Sequence, residues 1–185
     1  RMTSKGEDGM TDLMSVGAGY GFTMCPLQIL TFYNTVANGG RMMLPMLVKG
    51  TEDKTDGYLT VWPREREERV LRQEVADTLR RALAACVEDG TGKRLSGMPL
   101  QMAGKTGTSR QIIDPELRGG SADPYHDQER RSQYASTFAG FYPADEPHYS
   151  VMCVLFTRPT HQIYPGGSLP AETVREFVSR IEAVR

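Results

Sequence analysis

Two neighbouring apolar segments, YASTFAGFY at 134–142 and YSVMCVLFT at 149–157, constrain the fold of this chain most. Each has the length and the β-branched or aromatic content of a strand, and PADEPH between them is rich in turn-forming residues. Most positions in both segments are apolar instead of alternating with polar ones. The pattern therefore predicts strands of a sheet that is covered on both faces.

Three segments with helical spacing can supply that cover. The first begins at Pro26, where proline suits the first turn, and Asn38–Gly40 ends it. The second runs from about Gln73 to Glu88, and the third closes the chain after GGSLPA. The order is helix, extended segment, helix, three strands and helix. This order favours an α+β domain with an antiparallel sheet and helices packed on its faces.

Composition excludes several functional classes. The chain has 185 residues, enough for one domain with a full core, and its net charge of −1 gives no basic excess for nucleic acid. No apolar run approaches the roughly 20 residues of a membrane span. The three cysteines and three histidines lack metal-ligand spacing, so the sequence indicates no metal and no cofactor. Residues 50–69 are polar and highly charged, and the alternating charges from Arg64 to Arg69 predict a solvated surface.

The candidate site is the run Gly104 to Thr108, GKTGT, at the polar end of a predicted strand. Because successive side chains on a strand point to opposite faces, Thr106 and Thr108 should share one face and Lys105 should leave the other. Gly107 has no Cβ, so the backbone of a ligand could approach closely there. A cation and two hydroxyls suit a carboxylate, and the strand could pair edge-on with an extended peptide.

A Lys-Thr-Gly triplet alone leaves three interpretations. The first is a strand end with a solvated lysine. The second is a phosphate-binding loop, but that motif needs a glycine where Pro99 stands. The third is the last motif of the penicillin-recognising serine enzymes, which combine S-x-x-K, S-x-N and K-T-G.

A long polar segment, residues 109–133, follows the candidate site directly. A loop of this length in a compact domain is usually functional or disordered. Its position favours a rim that shapes access to the site, and simple disorder remains the alternative.

Several motifs in a fixed order make a family resemblance specific. GYGFTMCPLQILTFYNTVANGGRMMLPM precedes a helix that ends in EDGTGKR, and AGKTGT follows. SQYASTFAGFYPADEPHYSVMCVLF and YPGGSLPAETVREFV complete the series. From about Ser15 onward, the chain closely resembles the C-terminal half of the transpeptidase domain of class B penicillin-binding proteins. TFYNTVANGGRMMLPM is most similar to the septal, cell-division type, with the elongation type second.

The resemblance implies serine acyl transfer between peptidoglycan stem peptides. In that family a serine attacks the penultimate D-Ala carbonyl, D-Ala leaves, and an amine of a neighbouring stem peptide takes the acyl group. β-Lactams mimic D-Ala-D-Ala and trap the serine. Lys105 and Thr108 would be catalytic: Lys105 would orient the proton network, and the Thr108 N–H would supply an oxyanion-hole donor. Thr106 and Thr108 would hold the substrate carboxylate, and Gly107 would let the acyl chain pair with the strand.

The chain departs from the family pattern in one respect. No serine has a lysine three residues on, and no S-x-N occurs. Because a nucleophile, its base and the Lys-Thr-Gly strand must lie within hydrogen-bond reach, we expect both missing motifs upstream of Arg1. Residues 1–185 are thus expected to be the C-terminal portion of a transpeptidase domain, inactive alone. The parent would be anchored by an N-terminal segment on the periplasmic side of the inner membrane.

Expected partners are stem peptides, β-lactams, the missing N-terminal half and, for the parent, cell-division proteins. Two other functional classes stay open from the residues. One is a non-catalytic domain that binds stem peptide or assembles with other proteins. The other is a β-lactamase or D,D-carboxypeptidase, which shares Lys-Thr-Gly; rapid turnover of penicillin would favour a β-lactamase.

Overall fold

The computed structural model describes residues 24–61, 68–161 and 166–184. It contains, in chain order, α1 (Pro26–Ala37), β1 (Arg41–Met42), β2 (Gly50–Glu52), β3 (Leu59–Val61), β4 (Glu68–Arg69), α2 (Gln73–Glu88), a 3₁₀ turn (Lys93–Leu95), β5 (Ala103–Arg110), α3 (Pro115–Arg118), β6 (Tyr134–Tyr142), β7 (Tyr149–Phe156) and α4 (Ser168–Val184). The predicted limits of the first two helices and of both apolar strands are confirmed to within about a residue. The quoted motif residues 19–23 and 164–165 lie outside the described ranges.

A three-stranded antiparallel sheet in the order β5-β6-β7 forms the centre of the domain. In its register Thr106 faces Phe138 and Thr108 faces Ser136, and on the next strand Phe138 faces Cys153. All residues of β6 except Thr137 are buried. The middle strand is therefore the apolar YASTFAGFY segment, as expected for a strand covered on both faces.

Helices pack on both faces of this sheet. Phe138 points to the face that carries α4, where it lies in one buried cluster with Val174 and Val178. Phe141, an odd number of positions along the strand, points to the opposite face and packs with Val36 of α1. The predicted α+β architecture, an antiparallel sheet with helices on its faces, is confirmed.

Strand β7 is less covered than its sequence predicts. Its six inner residues are only half-buried, and Tyr149 and Phe156 at its ends are exposed. Among the described residues β7 is the outer strand of the sheet, so it has a strand neighbour on one side only. The expectation of complete cover on both faces holds for β6 and is wrong for β7.

The charged segment between α1 and α2 contains two small strand pairs that its composition does not predict. Strand β1 pairs with β4, and β2 pairs with β3, both antiparallel. Nearly all of these residues are exposed. Of the predicted solvated surface at residues 64–69, only Glu68 and Arg69 lie in the described ranges, and both are exposed. Within the described ranges, no helix is both long enough and apolar enough to cross a membrane.

Candidate functional site

Strand β5 presents the GKTGT run at one edge of the central sheet. In the described part of the chain no strand pairs with the other side of β5. Thr106 is buried, whereas Lys105 and Thr108 are exposed and Gly107 is half-buried. The run therefore combines one anchored hydroxyl with an accessible cation and an accessible second hydroxyl.

The main-chain groups of Thr106 and Thr108 face the open edge of β5. The carbonyl of Gly107 accepts the Thr137 hydroxyl of β6 at 3.3 Å, so Gly107 is directed toward the neighbouring strand. The carbonyl of Thr106 instead accepts Lys105 Nζ at 2.8 Å. Because alternate residues of an edge strand direct their N–H and C=O to the same side, the N–H of Thr108 also points outward. An extended ligand can therefore pair with this edge.

Thr91 joins Lys105 and Thr106 in a small hydrogen-bond network. Lys105 Nζ donates to Thr91 Oγ1 at 3.1 Å and lies 3.5 Å from Thr106 Oγ1. The Thr106 hydroxyl donates to Thr91 Oγ1 at 2.7 Å. The sequence predicts EDGTG only as the turn that ends α2, and the contact of Thr91 with Lys105 and Thr106 was not predicted. The available signal was a hydroxyl residue between two glycines, shortly before the Lys-Thr-Gly strand.

The segment that leads into α4 lies against the face of Thr106 and Thr108. A Cβ added at Gly166 would stand 1.5 Å from Thr108 Oγ1, and one at Gly167 would stand 2.4 Å from Thr106 Cβ. Thr108 therefore lies against Gly166 and Thr106 lies against the adjacent Gly167, as expected for two threonines that share a face. The N–H of Gly167 donates to Ser136 Oγ at 2.9 Å, a fully buried acceptor on the middle strand.

The structure gives a different reason for a glycine at position 107 from the close approach of a ligand that the sequence suggests. A Cβ at this position would stand 2.7 Å from Thr137 Oγ1. A side chain at 107 would therefore first displace the hydroxyl of a neighbouring strand. The half-exposed Gly107 backbone still lies beside the outward-facing groups of Thr106 and Thr108.

The predicted loop 109–133 begins later than expected, because Ser109 and Arg110 belong to β5; residues 111–133 form an ordered segment that contains α3 and in which aspartates hold the backbone. Asp114 accepts the N–H of Glu116 at the start of α3, and Asp123 accepts the N–H of Tyr125. Asp127, 7% exposed, accepts both the main-chain N–H and Nε of Arg131 at 2.8 Å. Such Asx turns, together with the fully buried side chain of Ile113, give the loop a fixed path. Of the two alternatives for this loop, the structure disfavours simple disorder; its role as a rim stays a prediction.

We expect Asp127 to control the acid sensitivity of this loop. Burial would raise the pKa of Asp127, but the hydrogen bonds from Arg131 and then Glu129 outweigh it and hold the pKa below its ordinary value. A carboxylate whose folded pKa is depressed stabilises the fold above its unfolded pKa of about 3.9, and this contribution is lost as pH falls through the folded value. Asp127→Asn should remove this pH-dependent contribution to stability and loosen the loop already at neutral pH.

The measurement is the rate of tryptic cleavage after Arg130 and Arg131 at pH 7.5, with a rise of several-fold expected for Asp127→Asn. Glu129→Gln is the matched control, because Glu129 is exposed and, among the ion pairs of the described residues, its carboxylate pairs only with the Arg131 guanidinium. Equal cleavage of the two variants would show that the loop does not depend on Asp127.

An edge strand with Lys-Thr-Gly-Thr, on an antiparallel sheet between helices, is typical of the penicillin-recognising serine enzymes. A family model described as the penicillin binding protein transpeptidase domain matches residues 4–179. The chain belongs to this family, and its resemblance to the class B penicillin-binding proteins is confirmed.

Individual relatives agree with the family. Penicillin-binding protein PbpB of Mycolicibacterium smegmatis is 36% identical over 140 residues, which cover 72% of this chain and 20% of that protein. Peptidoglycan D,D-transpeptidase MrdA of Acinetobacter baumannii is 27% identical over 151 residues, which cover 82% of this chain and 22% of that protein. The chain therefore spans about a fifth of the length of these curated relatives.

A solved structure shows the same fold. Penicillin binding protein 3 from Mycobacterium tuberculosis, complexed with aztreonam, matches with a TM-score of 0.72 and 29% sequence identity. The match covers 92% of this chain and 38% of that one.

Proposed function

We propose that this chain is part of a peptidoglycan D,D-transpeptidase that cross-links stem peptides by serine acyl transfer and is acylated by β-lactams. The observation that carries the proposal is the open edge of β5, where the Thr108 N–H points outward beside an accessible lysine. The family membership of the chain supports it, as does the D,D-transpeptidase name of one relative.

In this proposal Lys105, Thr106, Gly107 and Thr108 each contribute to binding or catalysis. The ammonium group of Lys105 stabilises negative charge and orients the protons around the nucleophile. The hydroxyls of Thr106 and Thr108 hold the carboxylate of D-Ala-D-Ala or of a β-lactam. The outward N–H of Thr108 donates to the oxyanion, a contribution that is worth roughly 3 kcal/mol in other enzymes. The backbone at Gly107 pairs with the acyl chain.

The nucleophile is proposed to come from the part of the domain upstream of residue 1. A serine oxygen there forms an ester with the penultimate D-Ala carbonyl carbon, and the terminal D-Ala leaves with the proton as a free amine. The amine of a second stem peptide then attacks the ester, forms the cross-link and releases the serine hydroxyl. Lys105 to Thr108 thus form one wall of a site that this chain cannot complete alone.

The setting of the whole protein is part of the same proposal. The complete domain holds the S-x-x-K and S-x-N motifs upstream, and an N-terminal segment anchors the parent on the periplasmic side of the inner membrane. The TFYNTVANGGRMMLPM segment favours the septal type, with cell-division proteins as partners. Residues 109–133 form the rim of the site.

Intact-mass analysis after incubation with excess penicillin G tests the proposal. The full-length protein should gain one penicillin mass that persists, whereas this chain alone should gain none. Penicilloic acid, in which the reactive ring is already open, is the control and should give no adduct. Rapid hydrolysis without an adduct would favour a β-lactamase, binding without acylation would favour a non-catalytic domain, and an adduct on this chain alone would refute the upstream nucleophile.

A further inference from the structure

The turn that carries Thr91 is built tightly against the end of α2. The N–H of Gly92 donates to the carbonyl of Cys86 at 3.0 Å, which closes the last turn of the helix. A Cβ at Gly90 would stand 2.8 Å from the same carbonyl oxygen, and one at Gly92 would stand 3.1 Å from it. The two glycines thus let the turn pack closely and fix where the Thr91 side chain leaves the backbone.

From this turn the Thr91 hydroxyl reaches two groups of the GKTGT run. It accepts an N–H of Lys105 at 3.1 Å and the hydroxyl proton of Thr106 at 2.7 Å. Lys105 also donates to the Thr106 carbonyl at 2.8 Å, so its ammonium group is held between the open edge of β5 and Thr91. Thr91 is thereby the shared acceptor that connects the cation to the buried hydroxyl.

The number of protons that the Thr91 and Thr106 hydroxyls and the Lys105 ammonium group can donate limits how they bind an anion. Each hydroxyl has one proton, and the 2.7 Å contact between Thr106 Oγ1 and Thr91 Oγ1 holds only one of the two protons. A carboxylate has no proton to donate, so Thr106 can bind it only by turning its own proton outward. Thr91, which already receives an ammonium N–H, can then turn its proton to the Thr106 oxygen. A series of hydrogen bonds then runs from Lys105 through Thr91 and Thr106 to the carboxylate. Each donor in it is strengthened, because hydrogen bonds in series polarise one another.

We propose that Thr91 is a positioning residue for the reaction. It holds the Lys105 ammonium group and, when a carboxylate binds, donates to Thr106 so that the Thr106 proton is presented to the carboxylate. This inference rests on the proposed function, because it assigns a role to Thr91 in the binding of the stem-peptide or β-lactam carboxylate. No covalent bond breaks in this step; two hydroxyl groups rotate.

The test measures the second-order rate constant for acylation of the full-length protein by penicillin G. Thr91→Val and Thr91→Ala should lower it about tenfold to a hundredfold, the usual range for losing a hydrogen bond in a charged network. Thr91→Ser, which keeps the hydroxyl, should stay within a few-fold of wild type. Thr78→Val, an exposed threonine of α2 whose hydroxyl donates to the Glu74 carbonyl, is the matched control and should not change the rate.

A penicillin methyl ester separates positioning from simple structural damage. The ester has no carboxylate anion, so the difference between wild type and Thr91→Val should shrink to about twofold or less, while the unfolding temperatures stay equal. Normal acylation of Thr91→Val, an equal loss in Thr91→Ser, or an undiminished loss with the ester would overturn the inference and leave the proposed function intact. Absence of any adduct on the wild type would overturn both.

Discussion

Replacing Lys105 with alanine in the full-length protein is expected to abolish acylation by penicillin. The second-order rate constant should fall by a factor of about a thousand or more, the range observed when a positioned proton-transfer or charge-stabilising group is removed. The physical reason is the position of Nζ, 2.8 Å from the Thr106 carbonyl and 3.1 Å from the Thr91 hydroxyl at the open edge. Alanine leaves both acceptors without the cation that faces them.

Labelling with excess penicillin and intact-mass detection measure this effect, and thermal unfolding checks that the variant is folded. Lys93→Ala is the matched control, since Lys93 is an exposed lysine of the neighbouring 3₁₀ turn that carries no role in the site. Undiminished labelling of the Lys105→Ala protein would contradict the assignment of Lys105 as a catalytic residue.

A second large effect is expected for Gly167→Ala. Gly167 has a φ of +87°, where an L side chain costs about 1–2 kcal/mol. Its Cβ would also stand 2.4 Å from Thr106 Cβ and 2.7 Å from Thr106 Cγ2. Relieving such overpacking typically costs a further 1–3 kcal/mol or so. Since Thr106 is buried and holds Thr91, we expect displacement of its hydroxyl and slower acylation besides the lower stability.

Gly120→Ala isolates the steric part of this prediction. Gly120 has nearly the same φ, +84°, but a Cβ there meets nothing within 4 Å. Both variants should therefore lose the part of the free energy of unfolding that a positive φ costs an alanine. Only Gly167→Ala should lose more than this and also reduce the acylation rate constant. If denaturant unfolding gave the same loss of free energy of unfolding for both variants, the contact between a side chain at position 167 and Thr106 would not contribute to stability.

The sequence predicted the elements that have a strong hydrophobic period. Helix α2 was expected at Gln73–Glu88 and lies there, and the apolar segments at 134–142 and 149–157 are β6 and β7. The pairs β1-β4 and β2-β3 were not expected, because strands of two or three residues are too short for a periodic pattern to distinguish a strand from a loop. The partial exposure of β7 depends on its place at the outside of the sheet, which its own sequence does not encode.

For the site, the sequence predicted the strand and the shared face of Thr106 and Thr108, but not the residues that hold them. Thr91 lies 15 positions before Thr106, and nothing in the local pattern of a helix-ending turn shows which group its hydroxyl will meet. The contacts of Gly166 and Gly167 span about 60 positions and appear only when α4 packs on the sheet. Such long-range neighbours follow from tertiary packing and not from local periodicity. The assignments of Lys105 and Thr108 as catalytic, and of Thr106 and Gly107 as ligand-binding, stay predictions until the variants are measured.

The middle strand has a consequence for drug response. Ser136 of β6 accepts the Gly167 N–H, and Ser136 and Phe138 face Thr108 and Thr106 across the ladder. Strand β6 therefore sets both the position of the GKTGT edge and the position of the glycines that cover it. If the proposed function holds, a substitution inside β6 can change susceptibility to a β-lactam without touching the antibiotic. Surveys of resistance in such proteins would then need to include buried positions one strand away from the site.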